Sequence, residues 1–83
     1  MSAAGRTADV YDLRGLKCPL PALKAGKRLA RLAPGAVLAI ETSDPLAVID
    51  IPHLCNENGH RLIASETTQT GHRFVIERGK HDA

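Results

Sequence analysis

The run AVLAIET, residues 36–42, is almost unbroken in apolar side chains and lies between two segments of helical pattern. Such a run reads as a strand central in its sheet and covered on one face. Before it, from Pro19 to about Ala33, the residues Ala22, Gly26, Leu29, Ala30 and Ala33 fall on one helical face. Lys24, Lys27, Arg28 and Arg31 fall on the other. After it, in SDPLAVIDIPHLCNENG, Ser43 or Asp44 can cap a helix whose first position is Pro45, and Asn58-Gly59 can end it. A β-α-β connection takes a right-handed crossover, so two such helices cover one face of a sheet.

The flanks complete the pattern. ADVYDL has the Val10, Tyr11 and Leu13 content of a short strand, and RLIASETTQTGHRFVIER reads as two strands, roughly 61–67 and 72–78, joined by a turn containing Gly71. The order β-α-β-α-β-β predicts an α/β fold, a two-layer sandwich of a mixed four-stranded sheet with two helices on one face. Residues 9–79 make a single domain, with a frayed arm at 1–8 and a tail at 80–83. Pro19 and Pro21 suit the first helical turn, where an N–H has no intrahelical acceptor, and APG at 33–35 closes that helix. Pro52 predicts a kink or brief break near Asp50–Pro52, with Leu46, Ile49, Leu54 and Cys55 facing inward.

A chain of 83 residues has room for one domain and no elaborate enclosed pocket, so its function has to come from its surface. The net charge of +2 is too small to argue for nucleic-acid binding by itself. No stretch approaches the roughly 18 apolar residues of a membrane span. No Gly-rich phosphate loop, His-Glu-x-x-His motif or paired acid–base carboxylates occur, which disfavours nucleotide, zinc-protease or glycoside chemistry. MSAAGRTAD is followed by no secretory apolar run, so the two cysteines are expected reduced, in the cytoplasm.

Within DLRGLKCPLPALK, Cys18 stands between a glycine turn and a helix start. The thiolate is the reactive form of cysteine, and a helix N-terminus with Lys17 and Arg14 nearby favours it electrostatically. Pro19 and Pro21 donate no N–H but stiffen the turn. This arrangement suits a nucleophile that accepts or carries sulfur, with no histidine close in sequence to act as base. It equally suits a small buried cysteine.

Asp12, Gly15, Cys18, Pro19 and Pro21, together with SDPLAVIDIP, resemble the TusA/SirA family of small sulfur-carrier proteins, whose hallmark is Cys-Pro-x-Pro. The resemblance spans about residues 9–79. It implies that Cys18 is the sulfur-carrying cysteine, that Asp12 and Gly15 form the approach to it, and that Pro19 and Pro21 complete the motif. Asp44, Pro45, Asp50, Ile51 and Pro52 match the second-helix region. It further implies a transient covalent persulfide on Cys18 and no other cofactor, with a cysteine desulfurase or rhodanese-like donor and a downstream sulfur-accepting protein. The routes served by such proteins are tRNA thiolation, cofactor metabolism and sulfur oxidation.

The remaining candidates divide by chemistry. Arg14, Lys17, Lys24, Lys27, Arg28 and Arg31 can steer an acidic partner toward Cys18, or simply keep the helix solvated. A basic RNA- or protein-interaction module is the alternative reading, although one Phe, one Tyr and no Trp leave few platforms for stacked bases. Cys55 reads as a packing residue; as a resolving thiol it would make the chain a thiol-disulfide exchange protein instead. His53, Cys55 and His60 lack the paired spacing of a zinc module, and His72 and His81 read as turn and tail residues.

Overall fold

The computed structural model describes residues 10–79. The expected arm at 1–8, the tail at 80–83 and His81 lie outside them. The elements are β1 (Val10–Asp12), α1 (Leu20–Ala30), β2 (Val37–Thr42), α2 (Ala47–Asn58), β3 (Arg61–Thr67) and β4 (His72–Glu77). They build the two-layer α/β sandwich expected from the sequence, on a mixed four-stranded sheet ordered β1-β2-β4-β3.

β2 is central, parallel to β1 with Tyr11 opposite Ile40, and antiparallel to β4 with Ile40 opposite Phe74. β3 forms the far edge and bulges between Leu62 and Ala64. Side chains alternate across a strand, so Leu38, Ile40 and Thr42 of β2 and Phe74 and Ile76 of β4 are buried on one face. Both helices pack there, adding Ala25 and Leu29 from α1 and Ala47, Ile51 and Cys55 from α2. The other sheet face carries in-register charge pairs: Arg73 donates to Glu41 at 2.8 Å, and Arg61 lies 3.8 Å from Glu77. No helix among the described residues is long and apolar enough to cross a membrane.

Each helix buries one row of residues four apart: Pro21, Ala25 and Leu29 in α1, and Ala47, Ile51 and Cys55 in α2. Gly26 sets their approach, because a Cβ there would meet Leu54 Cδ1 at 3.3 Å.

Expectations for both helices need correction. α1 stops at Ala30, before APG, because the Leu29 carbonyl accepts from Leu32 N–H at 3.1 Å and from Arg78 Nε at 2.9 Å. The acceptor for a further α-helical turn is thus already engaged. α2 runs through Pro52 without a break, since the proline removes a single donor while Ile51 and Cys55 beside it stay packed in the core. Finally, Leu46 and Ile49 face outward, 51% and 64% exposed, because the row through Ala47 sets the helical phase and puts Ile49 nearly opposite it. Leu54 is half-buried against the core and Cys55 fully buried, as expected.

Candidate active site around Cys18

The β1–α1 loop is fastened at several points to the end of β2. Leu13 N–H donates to Glu41 O at 2.8 Å, and the Leu13 side chain is buried. The Asp12 carboxylate accepts from Arg14 N–H at 3.1 Å and from its guanidinium at 2.8 and 3.0 Å, closing a local turn. That contact holds the Asp12 carboxyl down to about 2. Gly15 follows at φ +90°, a conformation that L side chains rarely adopt, and its N–H donates to Ser43 Oγ at 2.8 Å.

Asp44 joins the loop to α2. One carboxylate oxygen accepts the Cys18 amide N–H, the other accepts Leu46 N–H at 3.2 Å, and the Asp44 carbonyl accepts Ala47 N–H at 3.0 Å. Neither Ser43 nor Asp44 is the α2 cap and Pro45 is not its first position: the helix begins at Ala47 with Leu46 at the cap, and the bonds from Asp44 close the turn that leads into it. Pro19 takes the cap position of α1 through a cis peptide bond from Cys18, and Pro21 is buried in its first turn.

This framework leaves the Cys18 thiol exposed. Its S–H donates to Asp50 Oδ2 at 2.7 Å. The hydrogen bond to Asp50 pushes the thiol upward from the ordinary cysteine range, with further contributions from desolvation and from the charges of Asp50 and Asp44. The expected activation by the helix start and its basic neighbours is thus reversed. Pro19 and Pro21 have no N–H to offer, and Leu20 N–H is committed to Lys17 O at 2.8 Å. Arg14 is held by Asp12 and lies 4.0 Å from Glu41, so its charge is compensated away from the sulfur.

The basic residues of α1 form a separate surface. Lys24, Lys27, Arg28 and Arg31, with Tyr11 and Ala30, line an open groove of about 330 Å³. Arg28 lies 3.9 Å over the Tyr11 ring, a cation–π contact that fixes its position. Among the described residues, none of these four cations is in an ion pair. Lys17 lies on another shallow groove, with Gly15, Leu16, Ser43, Asp44 and Pro45. A third groove, about 220 Å³, runs between the helices from Pro19 and Asp50 past Ala22, Leu23 and Leu54 to Glu57.

Cys55 is buried, and its thiol is pushed up to about 11 by that burial. Because exchange needs a thiolate, this environment opposes a resolving role. His53 lies 3.5 Å from Glu57, His60 Nδ1 accepts Gly79 N–H at 3.0 Å, and His72 begins β4 stacked on Phe74. No cluster of three or more potential metal ligands occurs among the described residues.

Sequence reasoning placed Asp44 and Asp50 in the second helix without connecting them to the thiol. Their signal was the Asp-Pro start of that helix, but only the parallel pairing of β1 with β2 brings the start of α2 beside the β1–α1 loop. Ser43 caps no helix and serves instead as the acceptor for Gly15 N–H.

An exposed cysteine, ahead of a helix and fastened to the ends of two parallel strands, is an arrangement suited to group transfer between proteins. The family model for sulfurtransferase TusA matches residues 9–78, the segment holding all six elements. The chain therefore belongs to the TusA family of sulfur-transfer carriers.

Proposed function

We propose that Cys18 accepts sulfur as a persulfide from a cysteine desulfurase or rhodanese-like protein in the cytoplasm. It then hands that sulfur to a downstream acceptor, in a route such as tRNA thiolation. One observation carries the reading: the exposed Cys18 thiol is presented by a loop with several independent fastenings, from Leu13, Gly15 and the Cys18 amide. Such a loop keeps the sulfur in a defined place for a partner to reach, and family membership supports sulfur as the cargo. Intact-mass analysis after incubation with a persulfide donor tests it. Native protein gains one sulfur atom that a reductant removes; a folded protein that gains none from competent donors rules the carrier out.

Partner docking uses Lys24, Lys27 and Arg28 of α1 and Arg31 at its C-cap, none of them in an ion pair among the described residues, with Arg14 and Lys17 contributing from the loop. Long-range attraction of this kind raises association rates and weakens with salt. The double variant Lys24→Glu/Arg28→Glu should retain the native circular dichroism spectrum. Its loading should be slower by about 10-fold at low ionic strength, with the difference narrowing at high salt. Equal rates at low salt would remove these residues from docking.

A further inference from the structure

We propose that the Asp50 carboxylate is the proton relay of sulfur transfer at Cys18, taking the thiol proton as Sγ attacks and returning it to the sulfur that leaves. This deepens the carrier reading and rests on it.

The placement argues for a chemical role. Asp50 Oδ2 lies 2.7 Å from Cys18 Sγ, in direct contact with the reacting atom. The other carboxylates around the loop are committed: Asp12 to Arg14, Glu41 to Arg73, and Asp44 to the amide N–H groups of Cys18 and Leu46. Asp50 has no ion-pair partner among the described residues. His60 accepts Gly79 N–H and His72 stacks on Phe74, while His53 shares the groove with Asp50 but lies 3.5 Å from Glu57, with no contact to the sulfur among the hydrogen bonds of the described residues. Asp50, in contact with the sulfur, is therefore the group positioned to take the proton, and it also lines the groove between the helices together with Pro19, the residue after Cys18.

The steps balance without an external oxidant or reductant. In loading, Sγ bonds to the outer sulfur of the donor persulfide as its proton passes to Asp50 Oδ2. The donor S–S bond breaks, and the inner sulfur leaves with the electron pair and takes the proton from Asp50 to become a thiol. In delivery, the recipient thiol attacks the outer sulfur of Cys18-S-SH and gives its proton to Oδ2. The Cys18 S–S bond breaks and Sγ leaves as the protonated thiol. The hydrogen-bonded thiol–carboxylate pair is the resting state at the end of that cycle. A carboxylate beside the sulfur also holds back the free thiolate, so Cys18 reacts slowly with stray electrophiles and is activated by the transfer itself.

The test separates thiolate supply from relay by comparing native protein with Asp50→Asn and Asp50→Glu in two assays. Removing the charge frees the thiolate, so Asp50→Asn should be alkylated by iodoacetamide at neutral pH several-fold faster than native. Without a proton carrier, its sulfur uptake from a persulfide donor, followed by intact mass, should be at least about 10-fold slower. Asp50→Glu, which keeps a carboxylate, should recover part of the uptake rate. Faster alkylation with native or faster uptake in Asp50→Asn would overturn the relay alone, as would an alkylation rate equal to native. Native protein that loads no sulfur, while Asp50→Asn is still alkylated faster, would overturn the carrier reading and the relay with it.

Discussion

Cys18→Ser protein, incubated with a persulfide donor that loads the native chain, is expected to gain no sulfur at all. A serine hydroxyl in the same place can still donate to Asp50, so the loop keeps its contacts through Leu13, Gly15 and the residue 18 amide. The oxygen does not form the persulfide bond, and the thiolate nucleophile is gone. Loss should therefore be complete while thermal unfolding stays within about 2 °C of native, as expected for a substitution at an exposed position. The companion Cys55→Ser separates the two thiols. It should load like native, because Cys55 is buried, but be less stable by roughly 1–2 kcal/mol in chemical denaturation, since a hydroxyl replaces a packed sulfur. Sulfur retained on Cys18→Ser and lost from Cys55→Ser would move the carrier site to the buried residue.

The second large effect is structural and starts at the hairpin between β3 and β4. Gly71 closes that turn, with Thr68 N–H donating to its carbonyl at 2.8 Å and its own N–H donating to Thr68 Oγ1 at 3.0 Å. A Cβ on Gly71 would stand 2.1 Å from Thr42 O and 2.7 Å from Ser43 Cα. Both neighbours are backbone, so no side chain can swing aside and the end of β2 must move. Gly71→Ala should lose roughly 2–4 kcal/mol, lowering Tm by about 10 °C or more in a domain of this size. The displaced segment includes Ser43, which holds Gly15 of the Cys18 loop, so alkylation of Cys18 should also change in the folded fraction. A Tm within about 2 °C of native would show that the turn accommodates a methyl group by a route the packing does not suggest.

Local pattern carried most of the architecture. The apolar run 36–42 became the central strand, the basic face of α1 is exposed, and the segments around residues 61–67 and 72–78 pair as β3 and β4. Two of the misreadings, the end of α1 and the phase of α2, have one cause. The end of α1 is decided by Arg78 reaching Leu29 O from far along the chain, and the phase of α2 by which row the sheet buries. Neither is written in neighbouring residues. Asp50 was legible as part of a family-like stretch, yet its meeting with Cys18 spans 32 positions and depends on two elements packing side by side.

By itself, the sequence determined the order of the elements, the place of Cys18 between a glycine turn and a proline-bound helix start, and the basic helix behind it. These follow from periodicity and from the restricted backbones of glycine and proline, which act within a few residues. The electrostatic state of the thiol was decided by tertiary structure. Read along the chain, Cys18 has Lys17 and Arg14 for company; in the folded protein Asp50 accepts its S–H and Asp44 its amide N–H. Through-space electrostatics depends on distance in the fold, and parallel pairing of β1 with β2 sets that distance by bringing the start of α2 to the β1–α1 loop.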